Sequence, residues 1–455
     1  MAVAPNFNLE FYLTRERAGL GRKFLRFAVI ALMGISIVAP VVRFSEEFWL
    51  KLDQIFLVPV ALIYLWLLLA GLARPIRVNA LFAVALTFCV CIAMSLVYGT
   101  QVIGHPLFLA DLYELPKTFI PVIFFTLAYE ADFSEGTLRT LGVSLFPAIL
   151  LICVYAYGQW FNMDFTRYLQ PYYSGGLHDD GGLAHYRRVY STLSNPNYLG
   201  MLMTWMASIF AMAVLCRVGS RFWNITALLA SLTTLAMTGS RYGVIDTGFA
   251  LLLVLFLSTL TEISKRRRRG ILLAGVPLIL GAYLAVTMSN RATLDRVQML
   301  GKPLQENSLR MRLDSLWVDA LDKFVQSPLL GHGPAKAIFW GVITDSEYLH
   351  ILKQFGVVGL VPYLCYFLLP LWLVWKGLRH VREAGPWLEL QYPATFWAVS
   401  VAFILIMTAL VMNIGMCTYF NPSLVGFLWM WMGIGARCAG QLRAAPGFHA
   451  GLSQS

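Results

Sequence analysis

The sequence predicts an all-α polytopic membrane protein of about twelve transmembrane helices, and three observations predict it. Of its 455 residues, 58% are hydrophobic and only 13% are charged, against roughly a quarter charged in an ordinary soluble domain. The mean hydropathy is +0.66. Apolar runs of about twenty residues, the length of one bilayer crossing, recur from end to end. These values exclude a soluble globular enzyme, a disordered chain and a disulfide scaffold. The net charge of +11 fits nucleic acid, anionic lipid or a phosphate-bearing substrate, so the positions of the charges must decide.

Taken in order, the expected spans are about 25–42, 54–72, 79–98, 110–129, 140–158, 198–215, 222–238, 243–262, 271–288, 356–375, 394–415 and 418–436. Ile55 to Leu72 and Val244 to Leu260 are uninterrupted, whereas Asp111, Glu114 and Lys117 intrude on the fourth. The first hydrophobic segment follows a basic stretch and has no small-residue cleavage site, so it is expected to stay as a span. Positive charge sets the orientation. With both termini inside, 20 of the 35 Lys and Arg fall on the inner side, including the run Lys265 to Arg269. The short outer loops then hold only Arg43, Lys51, Lys117 and Arg241.

The other eleven basic residues lie on two long outer segments, 159–197 and 289–355, the soluble parts large enough to carry a site within one membrane domain, 1–455. The inner loops are too short for a nucleotide-binding domain, and neither a Walker loop nor a dinucleotide fingerprint is present. Chemistry is therefore expected on the outer face, with a substrate that arrives already activated and with no cofactor. All seven cysteines sit in spans or at their ends, as small polarizable packing residues do. Histidines lack ligand spacing, so no catalytic metal is expected.

Four outer stretches carry the residues suited to chemistry. The first is Arg187-Arg188 followed by Asn195-Pro196-Asn197-Tyr198. There the Asn-Pro-Asn turn caps a following helix and aims N–H groups at an anion, beside bidentate guanidinium donors. The second is Arg241 in Gly239-Ser240-Arg241-Tyr242-Gly243, a cation at membrane depth that marks either a site or a snorkelling side chain. The third is an amphipathic lid helix with Leu309, Leu313, Leu316, Trp317, Ala320, Leu321 and Phe324 at helical spacing, from which Arg310 or Arg312 faces the site. It ends in the breaker Ser327-Pro328-Leu-Leu-Gly331-His332-Gly333. The fourth holds Asp345, Glu347, Tyr348 and His350 ahead of Gly356 and Gly359, all candidate acid/base groups that also serve as ordinary helix-start residues.

In that order these motifs resemble the O-antigen ligase/polymerase superfamily over about residues 185–365. The resemblance implies a GT-C-like glycosyltransferase of the bacterial inner membrane with its site facing the periplasm. Its donor would be an undecaprenyl-diphosphate-linked glycan, its acceptor a second glycan, and it would invert the sugar without a metal. A chain-length regulator is a further expected partner; nucleic acid is not. Carried over residue by residue, Arg188, Arg241 and Arg312 or Arg310 match the family's arginines and are expected to bind the diphosphate; Arg241 is also expected to be catalytic, and Asp345 or Glu347 is the candidate base. Asn195, Asn197, Tyr242, His332 and Tyr348 support them. Ligases of this group carry His-Asn where this chain reads Asp345-Ser346, which favours a polymerase over a ligase. A lipid-linked glycan flippase is the non-enzymatic rival, and a scaffold subunit for polysaccharide assembly is a further one.

Overall fold

The computed structural model describes residues 9–43, 49–76, 79–173, 188–193, 195–260, 310–339, 344–417 and 422–445. The expected span 271–288, the Lys265 to Arg269 run, Arg187 and Leu309 lie outside them. The helices are α1 (Leu9–Val38), α2 (Leu52–Leu69), α3 (Ala80–Gln101), α4 (Leu109–Leu112), α5 (Glu114–Lys117), α6 (Phe119–Glu130), α7 (Glu135–Trp160) and α8 (Asp164–Tyr173). They continue with α9 (Pro196–Cys216), α10 (Arg221–Thr238), α11 (Arg241–Leu260), α12 (Trp317–Gln326), α13 (Lys336–Phe339), α14 (Glu347–Ala384), α15 (Pro386–Gln391), α16 (Pro393–Met412) and α17 (Pro422–Ala444). Seven described helices, α2, α3, α7, α9, α11, α14 and α16, are long and apolar enough to cross a membrane. An antiparallel hairpin, β1 (Val41–Arg43) on β2 (Trp49–Lys51), interrupts the all-helical expectation between α1 and α2.

Helices α9, α16 and α17 form the centre. The apolar window of α9 is 89% buried and that of α16 83%, against 22% for α2 at the periphery. Buried indoles tie the centre together through their one polar atom. Trp205 Nε1 donates to Thr408 Oγ1 at 3.0 Å, and Trp397 Nε1 donates to the Ile209 carbonyl at 2.9 Å. Helix α7 passes the full height of the bundle, since 26 residues at 1.5 Å each reach about 39 Å. Beside its start lies Asp132; near its end Gln159 accepts from the amides of Tyr190 and Ser191.

Over the expected fourth span the structure adds detail. Residues 109–130 run as two single turns and then α6, and Tyr113 (φ −64, ψ −23) and Thr118 (φ −60, ψ −27) between them are also right-handed helical, so the helical path continues over about 33 Å. Pro116 and Pro121 lack the N–H that a continuous ladder needs, and hydropathy averaged over the window hides this.

The tenth span differs, because α14 starts nine residues before the expected 356 and is broken at Gly356 (φ 63, ψ −165). The break exposes backbone groups that water cannot reach at that depth, and the 327–335 breaker satisfies them. The His332 amide donates to the Lys353 carbonyl at 3.0 Å and Gly333 to Gln354 at 2.8 Å. In return Val357 donates to Pro328 at 2.9 Å and Val358 to Leu329 at 3.2 Å. A Cβ on Gly356 would come within 2.2 Å of the Leu329 oxygen, so this position needs glycine both for its backbone angle and for space.

Candidate active site

The motif residues meet at one end of the bundle, the end expected to face outward. Helix α9 begins on the Asn-Pro-Asn turn. Asn195 Oδ1 accepts from the Asn197 amide at 2.8 Å, with Pro196 at the first helical position, as a good N-terminus requires. Helix α10 ends on Gly239 in the left-handed conformation (φ 56). Ser240 then starts α11, its Oγ accepting from Gly243 at 3.1 Å. A Cβ on Gly243 would lie 3.2 Å from the Gly200 Cα, so the two glycines let α9 and α11 touch backbone to backbone. One turn deeper, Thr204 Oγ1 and Thr247 Oγ1 share a 2.7 Å hydrogen bond.

Arg188 ties this frame together. Its Nε donates to the Thr238 carbonyl at 2.8 Å and its Nη2 to Asn197 Oδ1 at 2.8 Å. It thus links the end of α10 to the start of α9, which is a structural task alongside any ligand contact. Arg241 opens α11 as a half-buried side chain, next to Tyr242.

Of the two lid arginines, Arg312 is the one brought to the cluster. Its Nε donates to Asp345 Oδ2 at 2.9 Å and its Nη1 to the Tyr242 hydroxyl at 2.9 Å, with the guanidinium 5.0 Å from the Tyr242 ring centre. Arg310 instead pairs with Asp314 on the exposed side. The lid is a π-turn over Arg312–Leu316 that runs into α12. Two residues apart, the two arginines point to roughly opposite faces of the helix, so Arg312 meets the cluster while Arg310 faces away from it.

Asp345 sits at positive φ (52) just before α14 and is 35% exposed, against 12% for Arg312. Glu347, the other candidate base, is fully buried, and its amide donates to the Asn413 and Met416 carbonyls. The 413–417 turn supports the cluster from below: Gly415 abuts the Tyr242 ring, and the Tyr198 hydroxyl donates to the Cys417 carbonyl at 3.1 Å.

Two expected supporting residues face elsewhere. Tyr348 donates to the Leu410 carbonyl at 2.7 Å, packing α14 on α16. His332 lies against His105, with His105 Nε2 and His332 Nδ1 3.4 Å apart and the Lys323 carbonyl 3.0 Å from His332 Nε2. Burial first, and Lys323 second, lower the pKa of His105; burial also leads the lowering at His332.

The motifs missed one group. Glu114 on α5 is 2% exposed and ion-paired to Lys336 at 2.8 Å and Lys117 at 3.3 Å. Burial opposes its charge, but the two ammonium groups outweigh that and bring its pKa down to about 2. The Lys336 amide also donates to Asp111 Oδ1 at 2.8 Å. The signal was present in the sequence as charges inside an apolar run, which are expensive unless paired. Among the described residues no three His, Cys, Asp or Glu side chains gather as a metal ion would require.

Residues 226–364 match the family model described as O-antigen ligase, and this supports the chain's place in the O-antigen ligase/polymerase superfamily. The matched stretch contains the Gly239–Tyr242 turn, the lid and Asp345, while Arg188 and the Asn-Pro-Asn turn lie before it. No curated protein matches the chain.

Proposed function

We propose that the protein is an inverting, metal-independent glycosyltransferase of the inner membrane that polymerises undecaprenyl-diphosphate-linked repeat units on the outer face. The observation that carries this reading is the gathering of Arg188, Tyr242 and the Arg312–Asp345 pair at one end of the bundle, with Arg241 next to Tyr242 in the chain. Fixed guanidinium donors stabilise charge that grows on a departing diphosphate.

The donor's diphosphate engages Arg241 and Arg312, while Arg188 keeps α9 and α10 in register around them. As Arg312 turns to the diphosphate, the Asp345 carboxylate is released from its partner. It then takes the proton of the acceptor hydroxyl, whose oxygen attacks the anomeric carbon from the face opposite the diphosphate. The anomeric C–O bond breaks with its electron pair on the diphosphate, giving the lengthened glycan and undecaprenyl diphosphate. Asp345 suits the base because it reaches solvent, whereas Glu347 is sealed.

The second reading, a ligase that moves the lipid-linked chain to a lipid A-core acceptor, is favoured by the description of the matching family. Surface glycans of a deletion strain separate the two. Loss of a polymerase leaves core capped with a single repeat; loss of a ligase leaves bare core and accumulated lipid-linked chains. In the same strain Asp345→Asn should fail to restore long chains while Glu347→Gln restores them at least in part. Full restoration by Asp345→Asn would overturn the base assignment.

A further inference from the structure

At the end of the bundle opposite the proposed active site lies a cavity of about 520 Å³ between α2, α3, α6 and α14. Its place follows from α17, which leaves the 413–417 turn side at Pro422 and brings Arg437 to the cavity about 22 Å further along the helix axis. Its lining divides by chemistry. One wall is cationic, with Arg22, Arg74 and Arg437, and the other is apolar, with Phe125, Leu369 and Leu373.

The three lining arginines outnumber the two lining carboxylates, Asp132 and Glu130. Arg22 and Arg437 share Asp132, at 3.1 and 2.8 Å, which holds both guanidinium groups in place. Arg74 is exposed, and among the described residues no carboxylate pairs with its side chain. Lys376, one turn along α14 from the lining residue Trp372, places its Nζ 3.4 Å from the Trp372 ring centre. Trp372 is half exposed, and Tyr64 and Tyr129 complete an aromatic rim. Aromatic rings and snorkelling cations around an apolar recess are the chemistry of the headgroup level, and basic recesses between helices on the cytoplasmic side take anionic headgroups.

We infer that this cavity binds an anionic glycerophospholipid of the inner leaflet, its phosphate against Arg74 and Lys376 and the start of its acyl chains against Phe125, Leu369 and Leu373. The lipid bridges α2 and α14 and steadies the inner end of the bundle. Nothing in this inference depends on the reaction proposed for the outer face.

The test uses the full chain purified in detergent, with native mass spectrometry and thermal unfolding as readouts. Phosphatidylglycerol should remain bound and raise the unfolding midpoint, and phosphatidylcholine should do neither. Arg74→Glu should weaken phosphatidylglycerol binding about tenfold or more. Lys376→Gln should weaken it less. Arg379→Glu, at an exposed position paired with Glu383 on the same face, should leave it unchanged. Equal retention of the two lipids, or unaltered binding by Arg74→Glu, would overturn the inference. So would inorganic phosphate alone reproducing the thermal shift, which would mark a site for a free anion.

Discussion

Both ends of the bundle gather arginines around an aspartate, yet the two clusters are built for different work. At the inner end Asp132 is saturated. Its Oδ1 accepts from Arg437 Nε at 2.8 Å and Gln441 Nε2 at 3.2 Å, and its Oδ2 from Arg22 Nη1 at 3.1 Å. Arg26 adds bonds to the neighbouring carbonyls of Ala131 and Asp132, at 2.9 and 2.7 Å. Helix α1, the turn between α6 and α7, and α17 are stapled there, and no donor is left that a ligand could take without cost. At the outer end Asp345 meets the single guanidinium of Arg312, which an arriving anion can exchange. Saturation marks a structural node and a single exchangeable pair marks a working one.

Breaking the outer cluster should give the largest effect. Arg241→Ala and Arg312→Ala should each lower chain elongation by about 100- to 1,000-fold, the range for losing one preorganised donor to developing charge. Membrane insertion and elution profile should stay as in the wild type. Polymer of normal length from Arg241→Ala, measured by the surface-glycan ladder, would end the diphosphate assignment. Arg310→Ala, whose ion pair is exposed on both sides, should behave as wild type and so separates the two lid arginines.

The inner cluster should break in the opposite sense. Asp132→Ala leaves Arg22 and Arg437 without their shared carboxylate, at a site partly open to solvent. A screened cost of about 1–3 kcal/mol in stability is expected, read as a lower unfolding midpoint, while the protein that remains folded elongates glycans at the normal rate. Loss of activity beyond loss of folded protein would erase the distinction between the two ends.

The same contrast explains what could be read from the sequence. The Asn195-Pro196-Asn197 cap and the Gly239-Ser240-Arg241 turn were legible because their chemistry is local: each side chain bonds within a few residues of itself. Choosing between Arg310 and Arg312 was not, since two residues apart on a helix they point to roughly opposite faces, and which face meets Asp345 and Tyr242 is set by contacts from distant parts of the chain. Asp132 carried no motif. Its partners come from both ends of the chain, and Asp111 likewise receives the amide of Lys336 from 225 residues away. Over 109–130, likewise, hydropathy sees composition and not the prolines that remove donors from the ladder. Long-range pairing and backbone breaks are what one sequence leaves out.

Acid separates the two ends by degree. Glu114, lowered from 4.5 to about 2 by Lys117 and Lys336 against the pull of burial, favours the folded state whenever it is ionised. Its contribution is complete above about pH 4.5 and is lost as pH falls toward 2. Asp132 is lowered too, hydrogen bonds from Arg437 and Arg22 overcoming burial, so both ends weaken in strong acid. Glu114→Gln should flatten the outer part of that profile while lowering the midpoint at neutral pH, because two partly buried ammonium groups lose their counter-charge.

The smallest loss of stability should come at mild acidity, at the outer end. His105 and His332 are both lowered from 6.5, chiefly by burial, so each favours the neutral form when folded. The stabilisation is therefore present above pH 6.5 and is lost as the pH drops below it. The geometry gives the reason: with His332 Nε2–H directed at the Lys323 carbonyl, His332 Nδ1 accepts from His105 Nε2–H, and a proton on Nδ1 removes that acceptor. The loop that carries His332 fills the break in α14, and α14 begins two residues after Asp345. A loss of about 0.5–1.5 kcal/mol is expected for this one contact, seen as a fall in unfolding midpoint between about pH 7 and 5.5. His105→Gln should lessen that slope and leave the strong-acid loss carried by Asp132 in place. A wild-type slope in His105→Gln would place the mild-acid sensitivity elsewhere.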